Sequence, residues 1–310
     1  MSEHQNLPPL IAIVGPTAVG KTALGVVLAE QFDGEIISAD SRQFYRGMTI
    51  GTAKPSPEEL HRVPHHLVDI ADPDETVGLA QFLRLARAAI EEIVNRRAVP
   101  FVVGGTGQYI HALLHGWHVP EIPPDPALRA ELEAQTITDP DGLWQRLLEL
   151  DPGAADFIDP RNVRRVVRAL EVTLKSGQPF SALRRRDPPP FAATTIGLTM
   201  DRAALYARAD ARVNAMVAAG LEAEIRALLA RGAAWELPAM SSLGYSQFRP
   251  YLEGQCSLTD VIERIKLDTH ALIRRQYTWF RPTDSRTLWL DATDPEAPVR
   301  AAEAVAAALR

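Results

Sequence analysis

The hydrophobic pattern of the first third of the chain alternates between short buried strands and amphipathic helices. Leu10–Val14 is a continuous apolar run that ends at a glycine, which is typical of a buried parallel strand. Apolar residues recur with helical spacing in Thr22–Phe32 and again in Gln81–Asn95. Further apolar runs predict strands at Glu35–Ser38, Leu67–Ile70 and Pro100–Val103. Strands that alternate with helices predict a parallel sheet with right-handed crossovers.

The pattern changes in Gly116–Ala193, where we predict no strand. This stretch opens with the proline-rich Val119–Pro126 and closes with Asp187–Pro190. Helical periodicity appears at Leu143–Leu150 and Asn162–Leu174. Because prolines interrupt helices and strands, we interpret the stretch as a helical insertion with proline boundaries. Beyond it, the pattern predicts a strand at Thr195–Met200, helices at Arg202–Ala218, Leu221–Ala230 and Leu258–Trp279, a strand at Thr287–Leu290 and a helix at Pro295–Arg310.

The octet after the first strand matches the pattern G-x-x-x-x-G-K-[ST] and lies between a predicted strand and a predicted helix. Its glycines let successive backbone N–H groups point into one concavity, and the helix N-terminus adds the positive end of its dipole. Lys21 would place an ammonium on the distal phosphate, and the Thr22 hydroxyl would bind Mg²⁺. The predicted phosphate loop consists of Gly15, Pro16, Thr17, Ala18, Val19, Gly20, Lys21 and Thr22.

These patterns predict the α/β class, as a P-loop NTPase-like parallel sheet flanked by helices with an all-helical insertion domain. We expect residues 1–115 to form the first part of the P-loop core and 116–193 the insertion. Residues 194–310 would complete the core and add the C-terminal helices.

The loop alone does not identify a reaction, because kinases, GTPases, ATPases and transferases that displace diphosphate all use it. A GTPase would usually carry an Asn-Lys-x-Asp sequence, which is absent. A P-loop kinase of a small metabolite, with the insertion as its lid, stays open. So does a noncatalytic RNA-binding or nucleotide-switch protein.

Asp40 follows the second predicted strand, at the sheet edge where ligands bind in folds of this kind. Its carboxylate would bind Mg²⁺ through water or act as a general base. Alternatively, Asp40 caps a turn at Ser41–Tyr45.

Composition adds limits on partners and location. The formal net charge of -6 argues against a general polyanion binder, and the single Cys256 excludes an intramolecular disulfide and a multi-cysteine zinc site. No apolar run reaches the roughly 20 residues that span a bilayer, and Met1–Pro9 lacks signal-peptide features, so we expect a cytoplasmic protein. Basic residues nevertheless cluster in Arg161–Arg186, either as a binding surface or as a solvated helix face.

Several segments, taken in order, resemble the tRNA dimethylallyltransferase (tRNA isopentenyltransferase) family. They are Gly15–Thr22, Asp40–Met48, Ile50–Pro55, Val103–Tyr109, Arg168–Val172, Leu243–Tyr245 and Arg275–Phe280. The resemblance implies transfer of a dimethylallyl group from dimethylallyl diphosphate to N6 of the adenine 3′ of the anticodon. It also implies that the helical insertion grips the anticodon stem-loop of the tRNA. We expect a monomer with no membrane partner.

The resemblance also implies roles for individual residues. Asp40 would be the general base, while Lys21, Thr22 with its Mg²⁺ and an arginine would assist departure of the diphosphate. For that arginine we favour Arg212 over Arg208. Residues implied to contact tRNA are Asp40, Ser41, Arg42, Gln43, Thr106, Arg129, Arg164, Arg165, Val166, Val167, Arg168, Gly244 and Tyr245.

Two positions limit this carry-over. Thr106 would also serve as an N-cap for the helix that follows it. Ser241 and Ser246 stand where the family usually has basic residues, so a tRNA contact from this segment is in question, and Arg249 would be a replacement cation.

Overall fold

A computed structural model describes residues 7–310, without the side chain of Pro140. The prediction that Met1–Pro9 is not a signal peptide falls largely on residues 1–6, which lie outside the described residues. The described chain divides into two compact units. The first unit runs to Gly78 and includes Phe82–Leu114 and Pro189–Arg310, and the second comprises Leu79–Gln81 and His115–Pro188.

The first unit contains a 6-stranded sheet in which every neighbouring pair of strands is parallel. Its strands are β1 (Pro9–Val14), β2 (Gly34–Ser38), β3 (His65–His66), β4 (Val99–Gly104), β5 (Ala192–Thr199) and β6 (Thr287–Asp291). They lie in the order β3-β2-β4-β1-β5-β6. Val14 is paired with Gly104, and Ser38 is paired with Val103. The loops that follow β1, β2 and β4 therefore start at one edge of the sheet, as the predicted α/β fold requires.

The α-helices of residues 7–310 are numbered in chain order. They are α1 (Lys21–Gln31), α2 (Pro57–Arg62), α3 (Leu79–Asn95), α4 (Gly107–Leu114), α5 (Pro126–Thr138), α6 (Pro140–Leu150), α7 (Val163–Ser176), α8 (Phe180–Leu183), α9 (Arg202–Ala218), α10 (Leu221–Ala230), α11 (Arg249–Leu252), α12 (Leu258–Trp279) and α13 (Ala297–Ala308). Within residues 7–310, no helix has both the length and the apolar character needed to cross a membrane.

The core of the first unit lies between the sheet and its helices. Ile11 and Ile13 of β1 and Phe101 of β4 are fully buried, as are Leu28 of α1 and Val305 of α13. Strands that are covered on both faces need apolar residues at successive positions, and this explains why β1 and β4 read as continuous apolar runs. Burial of these side chains is the main favourable contribution to the stability of the unit.

Two sequence predictions need correction. The strand predicted at Leu67–Ile70 is wrong, because Leu67 and Asp69 adopt φ of 60° and 55°. Non-glycine residues in this left-handed conformation cannot continue a strand, and the residues just before Leu67 that pair with β2 are His65 and His66 of β3. The insertion predicted for 116–193 also extends too far, since β5 already begins at Ala192 and the second unit ends at Pro188.

The second unit is helical, and its helix ends follow standard capping chemistry. The Asp125 carboxylate accepts the Leu128 N–H at 3.1 Å to cap α5, with Pro126 in the first turn. Asn162 caps α7 in the same way, and Gly177 ends α7 with a φ of 69°. The buried core of the second unit comprises Leu132, Leu143, Leu147, Ala154, Ile158, Val166, Val167, Ala169 and Leu170.

Candidate active site

The predicted phosphate loop connects β1 to α1. Gly15 has a φ of 143°, and a Cβ atom there would collide with the carbonyl oxygen of Leu198 in β5. Gly20 precedes α1 with a φ of 110°, and no side chain among the described residues caps this helix. The N–H groups of its first turn are therefore left for an anion, as phosphate binding at a helix N-terminus requires.

A cavity of about 360 Å³ lies at this edge of the sheet, entirely within the first unit. Its lining includes Lys21 and Thr22 of the loop, Asp40 after β2, and Arg208 and Arg212 of α9. The structure thus brings together every residue predicted to be catalytic. The rest of the lining is Thr17, Ala18, Gly20, Ala23, Gln43, Thr52, Ala53, Glu59, Val103 and Gly104.

Lys21 is held within its own loop. Its Nζ donates a hydrogen bond to the carbonyl oxygen of Pro16 at 2.7 Å. Burial lowers the pKa of Lys21 to about 8, although the nearby Asp40 carboxylate acts in the opposite direction. The same ammonium would reach an anion bound in the loop, because Pro16 belongs to that loop.

Both candidate arginines of α9 lie at the cavity. Burial lowers the pKa of Arg212, with Asp40 raising it and Arg208 lowering it further. A Cβ atom at Gly20 would lie 3.6 Å from Nη2 of Arg208, which places that guanidinium beside the loop. Both arginines therefore line the cavity, and the preference for Arg212 stays a prediction.

Asp40 occupies the turn that the sequence left as its alternative role. Its Oδ1 accepts the N–H of Arg42 at 3.0 Å, and its carbonyl oxygen accepts the N–H of Gln43 at 3.1 Å. The buried Ser38 hydroxyl donates to Oε1 of Gln43 at 2.8 Å, while Nε2 of Gln43 donates to the carbonyl of Ala53 at 3.1 Å. The turn is thus supported from both sides, which fixes the carboxylate at the cavity.

Thr106 links the end of β4 to this turn. Its Oγ1 accepts the N–H of Ser41 at 3.1 Å, and its own N–H donates to the carbonyl of Ala39 at 3.2 Å. This hydroxyl therefore binds the Asp40 turn, while its contact with tRNA stays a prediction.

One residue of the site had no predicted role, although it lies in the matched segment Arg275–Phe280. Gln276 on α12 accepts the Thr17 N–H at 2.8 Å through Oε1 and donates to the Gly105 carbonyl at 3.0 Å through Nε2. Thr17 is 259 positions away and Gly105 is 171 positions away. No local pattern connects positions so distant. The resemblance of the segment Arg275–Phe280 to the family is therefore the sequence signal that could have indicated Gln276.

Two residues of Leu243–Tyr245 are predicted to contact tRNA, and this stays a prediction for Gly244 but is contradicted for the side chain of Tyr245. Tyr245 is fully buried, and its hydroxyl donates to Oε1 of Glu224 at 2.6 Å. Its side chain therefore offers no surface to RNA, and this expectation is corrected. Gly244 is a turn residue with a φ of 94°, and its N–H donates to Gln247. Arg249, considered as a replacement cation, pairs with Glu236 and Glu253.

Arg42 extends away from the turn that contains it. Its Nη1 donates to the carbonyl oxygen of Pro238 at 2.9 Å, and the Ser241 hydroxyl donates to the same carbonyl at 2.6 Å. Ser241, which stands where the family usually has a basic residue, thus stabilises the loop that Arg42 contacts.

In the second unit, α7 divides the predicted tRNA contacts into two groups. Arg164 and Arg165 are exposed, and Arg165 lies 5.8 Å from the ring centroid of Phe157. Val166 and Val167 are buried in the core at 2% and 3% exposure, so their side chains cannot meet RNA. This expectation is therefore corrected as well. In a helix, positions three and four apart share a face, so Val166 and Val167 lie on the same buried side as Ala169 and Leu170.

Arg129 and Arg168 both bind the carboxylate of Glu171. Arg129 reaches it at 2.8 Å and Arg168 at 2.5 Å, and the N–H of Asp125 donates to it at 2.7 Å. Burial acts to raise the pKa of Glu171, but these hydrogen bonds lower it overall. Both arginines therefore have a structural partner before any RNA binds.

The lining residues fit a divalent cation of the hard type. The Thr22 hydroxyl and the Asp40 carboxylate supply oxygen donors at the same cavity, and Mg²⁺ characteristically takes one or two protein oxygens together with water and phosphate oxygens. No cluster of three or more His, Cys, Asp or Glu side chains suited to a metal occurs among the described residues. The site therefore suits a metal that arrives with a polyphosphate.

Comparison with known proteins gives concordant matches. Residues 43–283 match the family model described as IPP transferase, and residues 8–70 match the model described as isopentenyl transferase. The tRNA dimethylallyltransferase of Chloroflexus aggregans is 58% identical over 281 residues, covering 90% of this chain and 95% of the relative.

Solved structures agree with these matches. The tRNA isopentenylpyrophosphate transferase of Bacillus halodurans has a TM-score of 0.72 and 41% identity, with 97% of this chain and 96% of that chain covered. A eukaryotic dimethylallyltransferase acting on tRNA has a TM-score of 0.80 and 31% identity, with 93% of this chain and 74% of that chain covered.

Proposed function

The chain belongs to the IPP transferase family, and from this premise we propose that it transfers a dimethylallyl group from dimethylallyl diphosphate to tRNA. The acceptor is N6 of the adenine 3′ of the anticodon. The observation that carries the proposal is the shared cavity of Asp40, the phosphate loop and the two arginines of α9. It pairs one carboxylate base with a cluster of cations and N–H donors.

The reaction makes one bond and breaks one bond. The N6 nitrogen attacks the first carbon of the dimethylallyl group, the C–O bond to the diphosphate breaks, and Asp40 takes the proton released from N6. An adenine amine is a weak nucleophile because its lone pair is delocalised into the ring, so a positioned base lowers the barrier. The turn hydrogen bonds of Asp40 keep its carboxylate at the cavity before the substrates arrive.

Negative charge grows on the diphosphate as it departs. Lys21, Arg208 and Arg212 are already gathered around the loop, so they stabilise that charge without moving far. A Mg²⁺ ion bound at the Thr22 hydroxyl would neutralise part of the same charge. This arrangement assists loss of diphosphate and needs no phosphoryl transfer.

The RNA partner would also use the second unit. We assign the exposed Arg164 and Arg165 of α7 to phosphates of the anticodon stem-loop, since exposed arginines supply the electrostatic part of RNA binding. A cytoplasmic location and a monomeric state stay predictions from the sequence.

The test combines the protein with Mg²⁺, dimethylallyl diphosphate labelled in its alkyl group, and tRNA that has adenine 3′ of the anticodon. We expect label in that adenine and release of diphosphate. A matched tRNA with guanine at this position should accept no label. Absence of label from the adenine-containing tRNA, at protein concentrations that bind it, would overturn the proposal.

A further inference from the structure

Gln276 joins two segments of backbone that carry the candidate active site. The residue lies near the end of α12 and is 8% exposed. Its Oε1 accepts the N–H of Thr17 in the phosphate loop, and its Nε2 donates to the carbonyl oxygen of Gly105 after β4. One side chain therefore bridges the loops that follow the adjacent strands β1 and β4.

Glutamine suits this position because its amide has one accepting and one donating end. A backbone N–H only donates and a carbonyl only accepts, so the two partners determine which way the amide is oriented. A Cβ atom at Gly105 would collide with Nε2 of Gln276, so the glycine is needed for the close approach. An apolar side chain would leave two backbone groups without their partner in the interior.

Both bridged segments lead directly to reacting groups. Thr17 lines the cavity in the same loop as Lys21. Gly105 precedes Thr106, whose hydroxyl holds the N–H of Ser41 beside Asp40. The distance between the diphosphate cradle and the base therefore depends on the two hydrogen bonds of Gln276.

The bridge also affects which donors remain for the anion. The Thr17 N–H is directed at Gln276, so the later part of the loop and the N-terminus of α1 are the donors left for the diphosphate. The helix that bears Gln276 is anchored separately, since the hydroxyls of Tyr277 and of Thr199 at the end of β5 are 3.1 Å apart.

We propose that Gln276 is a positioning residue that sets the phosphate loop and the Asp40 turn in register for transfer. The proposal rests on the function proposed above only for the transfer step. Its effect on diphosphate binding is independent of that function.

The informative substitution is Gln276→Glu. When ionised, the new carboxylate still accepts from Thr17 but faces the Gly105 carbonyl and adds negative charge beside the anion site. When protonated, it donates to that carbonyl and accepts from Thr17, as the glutamine does. Burial and the carbonyl raise the pKa of such a carboxyl group, so the native pattern should return toward pH 6.

The experiment measures the affinity for inorganic diphosphate with Mg²⁺ by calorimetry from about pH 6 to pH 8.5 for the wild type and three variants. At pH 8 we expect Gln276→Glu to bind about tenfold more weakly than wild type, with the ratio recovering at low pH. Gln276→Met should lose about as much at every pH. Lys21, Asp40, Arg208 and Arg212 are charged groups of the same cavity in all of these proteins, so the ratio to wild type removes their contribution.

Tyr277→Phe is the matched control, because it removes the anchor to Thr199 without touching the bridge. It should bind within about twofold of wild type, while thermal unfolding reports how much it destabilises α12. A pH-independent ratio for Gln276→Glu, or Gln276→Met within twofold of wild type, would overturn the proposal. If the bridge variants weaken diphosphate binding but wild type transfers no label to tRNA, the positioning role stands and the proposed function fails.

Discussion

Asp40 Oδ1 accepts a hydrogen bond from the backbone N–H of Arg42 at 3.0 Å, so the carboxylate that faces the cavity also shapes the turn that holds it. A structural and a chemical role thus reside in the same side chain. Loss of activity after removal of Asp40 would not by itself separate them.

The pair of variants Asp40→Asn and Asp40→Ala does separate them. An asparagine oxygen still accepts the Arg42 N–H but cannot take a proton from N6, so we expect Asp40→Asn to keep the wild-type melting temperature and lose about 100-fold or more in kcat. Asp40→Ala should lose activity and also about 1 kcal/mol of unfolding free energy. Single-turnover transfer and thermal unfolding measure the two effects. Wild-type kcat in Asp40→Asn would remove Asp40 as the base.

Lys21 gives the site a defined pH dependence. Its pKa is about 8 in the folded protein because burial opposes its charge, against the usual lysine pKa of 10.5 in the unfolded chain. Below pH 8 both states are protonated and the folded state bears the cost of burial. Between about pH 8 and 10.5 the folded state loses the proton first, so the cost disappears and the free energy of unfolding rises with pH.

Lys21→Met should therefore be more stable than wild type at pH 7, by on the order of 1–2 kcal/mol after allowance for partial solvent screening. It should also lose diphosphate binding, which in wild type weakens above about pH 8 as the ammonium deprotonates. Chemical denaturation at several pH values and calorimetry test both expectations. Lys266→Met, which removes an ammonium paired with Glu263 at 2.7 Å, is the control for loss of a lysine. Equal stability of Lys21→Met and wild type at pH 7 would contradict the argument.

The parts of the site that the sequence predicted are those encoded locally. The phosphate loop and Asp40 each follow a strand directly, so strand prediction and sheet topology place them at one edge. Gln276 could not be placed in this way, because its partners Thr17 and Gly105 lie far from it in the chain. The strand prediction at Leu67–Ile70 was wrong for a local reason. An apolar pattern does not reveal the left-handed backbone angles of Leu67 and Asp69.

The resemblance placed functional segments but not the orientation of each side chain within them. Val166, Val167 and Tyr245 lie in segments that match the family, yet all three are buried. Adjacent residues of a helix face different directions, so a matched segment includes core residues as well as surface residues. The exposure of each side chain must therefore be known before tRNA contacts are assigned to the residues of a matched segment.

Glu224 on α10 supports the loop that supplies Thr52 and Ala53 to the cavity. Its Oε2 accepts the N–H groups of Thr49 and Ile50 at 2.9 and 2.8 Å. Its Oε1 accepts the Gly51 N–H at 3.2 Å and the hydroxyl of Tyr245. Burial and this carboxylate raise the pKa of Tyr245.

Glu224→Gln should loosen the cavity wall, because an amide –NH₂ group cannot accept from a backbone N–H. We expect a loss of about 1–2 kcal/mol in unfolding free energy and a several-fold fall in kcat/KM for dimethylallyl diphosphate. Glu222→Gln, two positions earlier and paired with Arg226 at 2.8 Å, should change neither quantity appreciably. Indistinguishable unfolding of the two variants would show that the loop does not depend on Glu224.

The arginines of the helical unit should separate into structural and RNA-binding groups. The Glu171 side chain is 0% exposed and is paired with Arg129 and Arg168. Removing one partner leaves a buried carboxylate less well compensated. Arg129→Gln should therefore lower the unfolding free energy of the protein by about 1–3 kcal/mol.

Arg164→Gln is the matched variant, because Arg164 is exposed on α7 and lies outside the Glu171 cluster. It should leave thermal unfolding unchanged, weaken tRNA binding several-fold and reduce the salt dependence of that binding by about one phosphate contact.

The stability effect of Arg129→Gln should depend on pH, because the hydrogen bonds hold the pKa of Glu171 low. The lost unfolding free energy should be largest above about pH 5. It should shrink in acid, where the Glu171 carboxylate of the wild type is also protonated. Binding titrations at several salt concentrations and unfolding from pH 3 to pH 7 measure both effects. An unfolding deficit in Arg164→Gln equal to that of Arg129→Gln would contradict the division of these arginines into structural and RNA-binding groups.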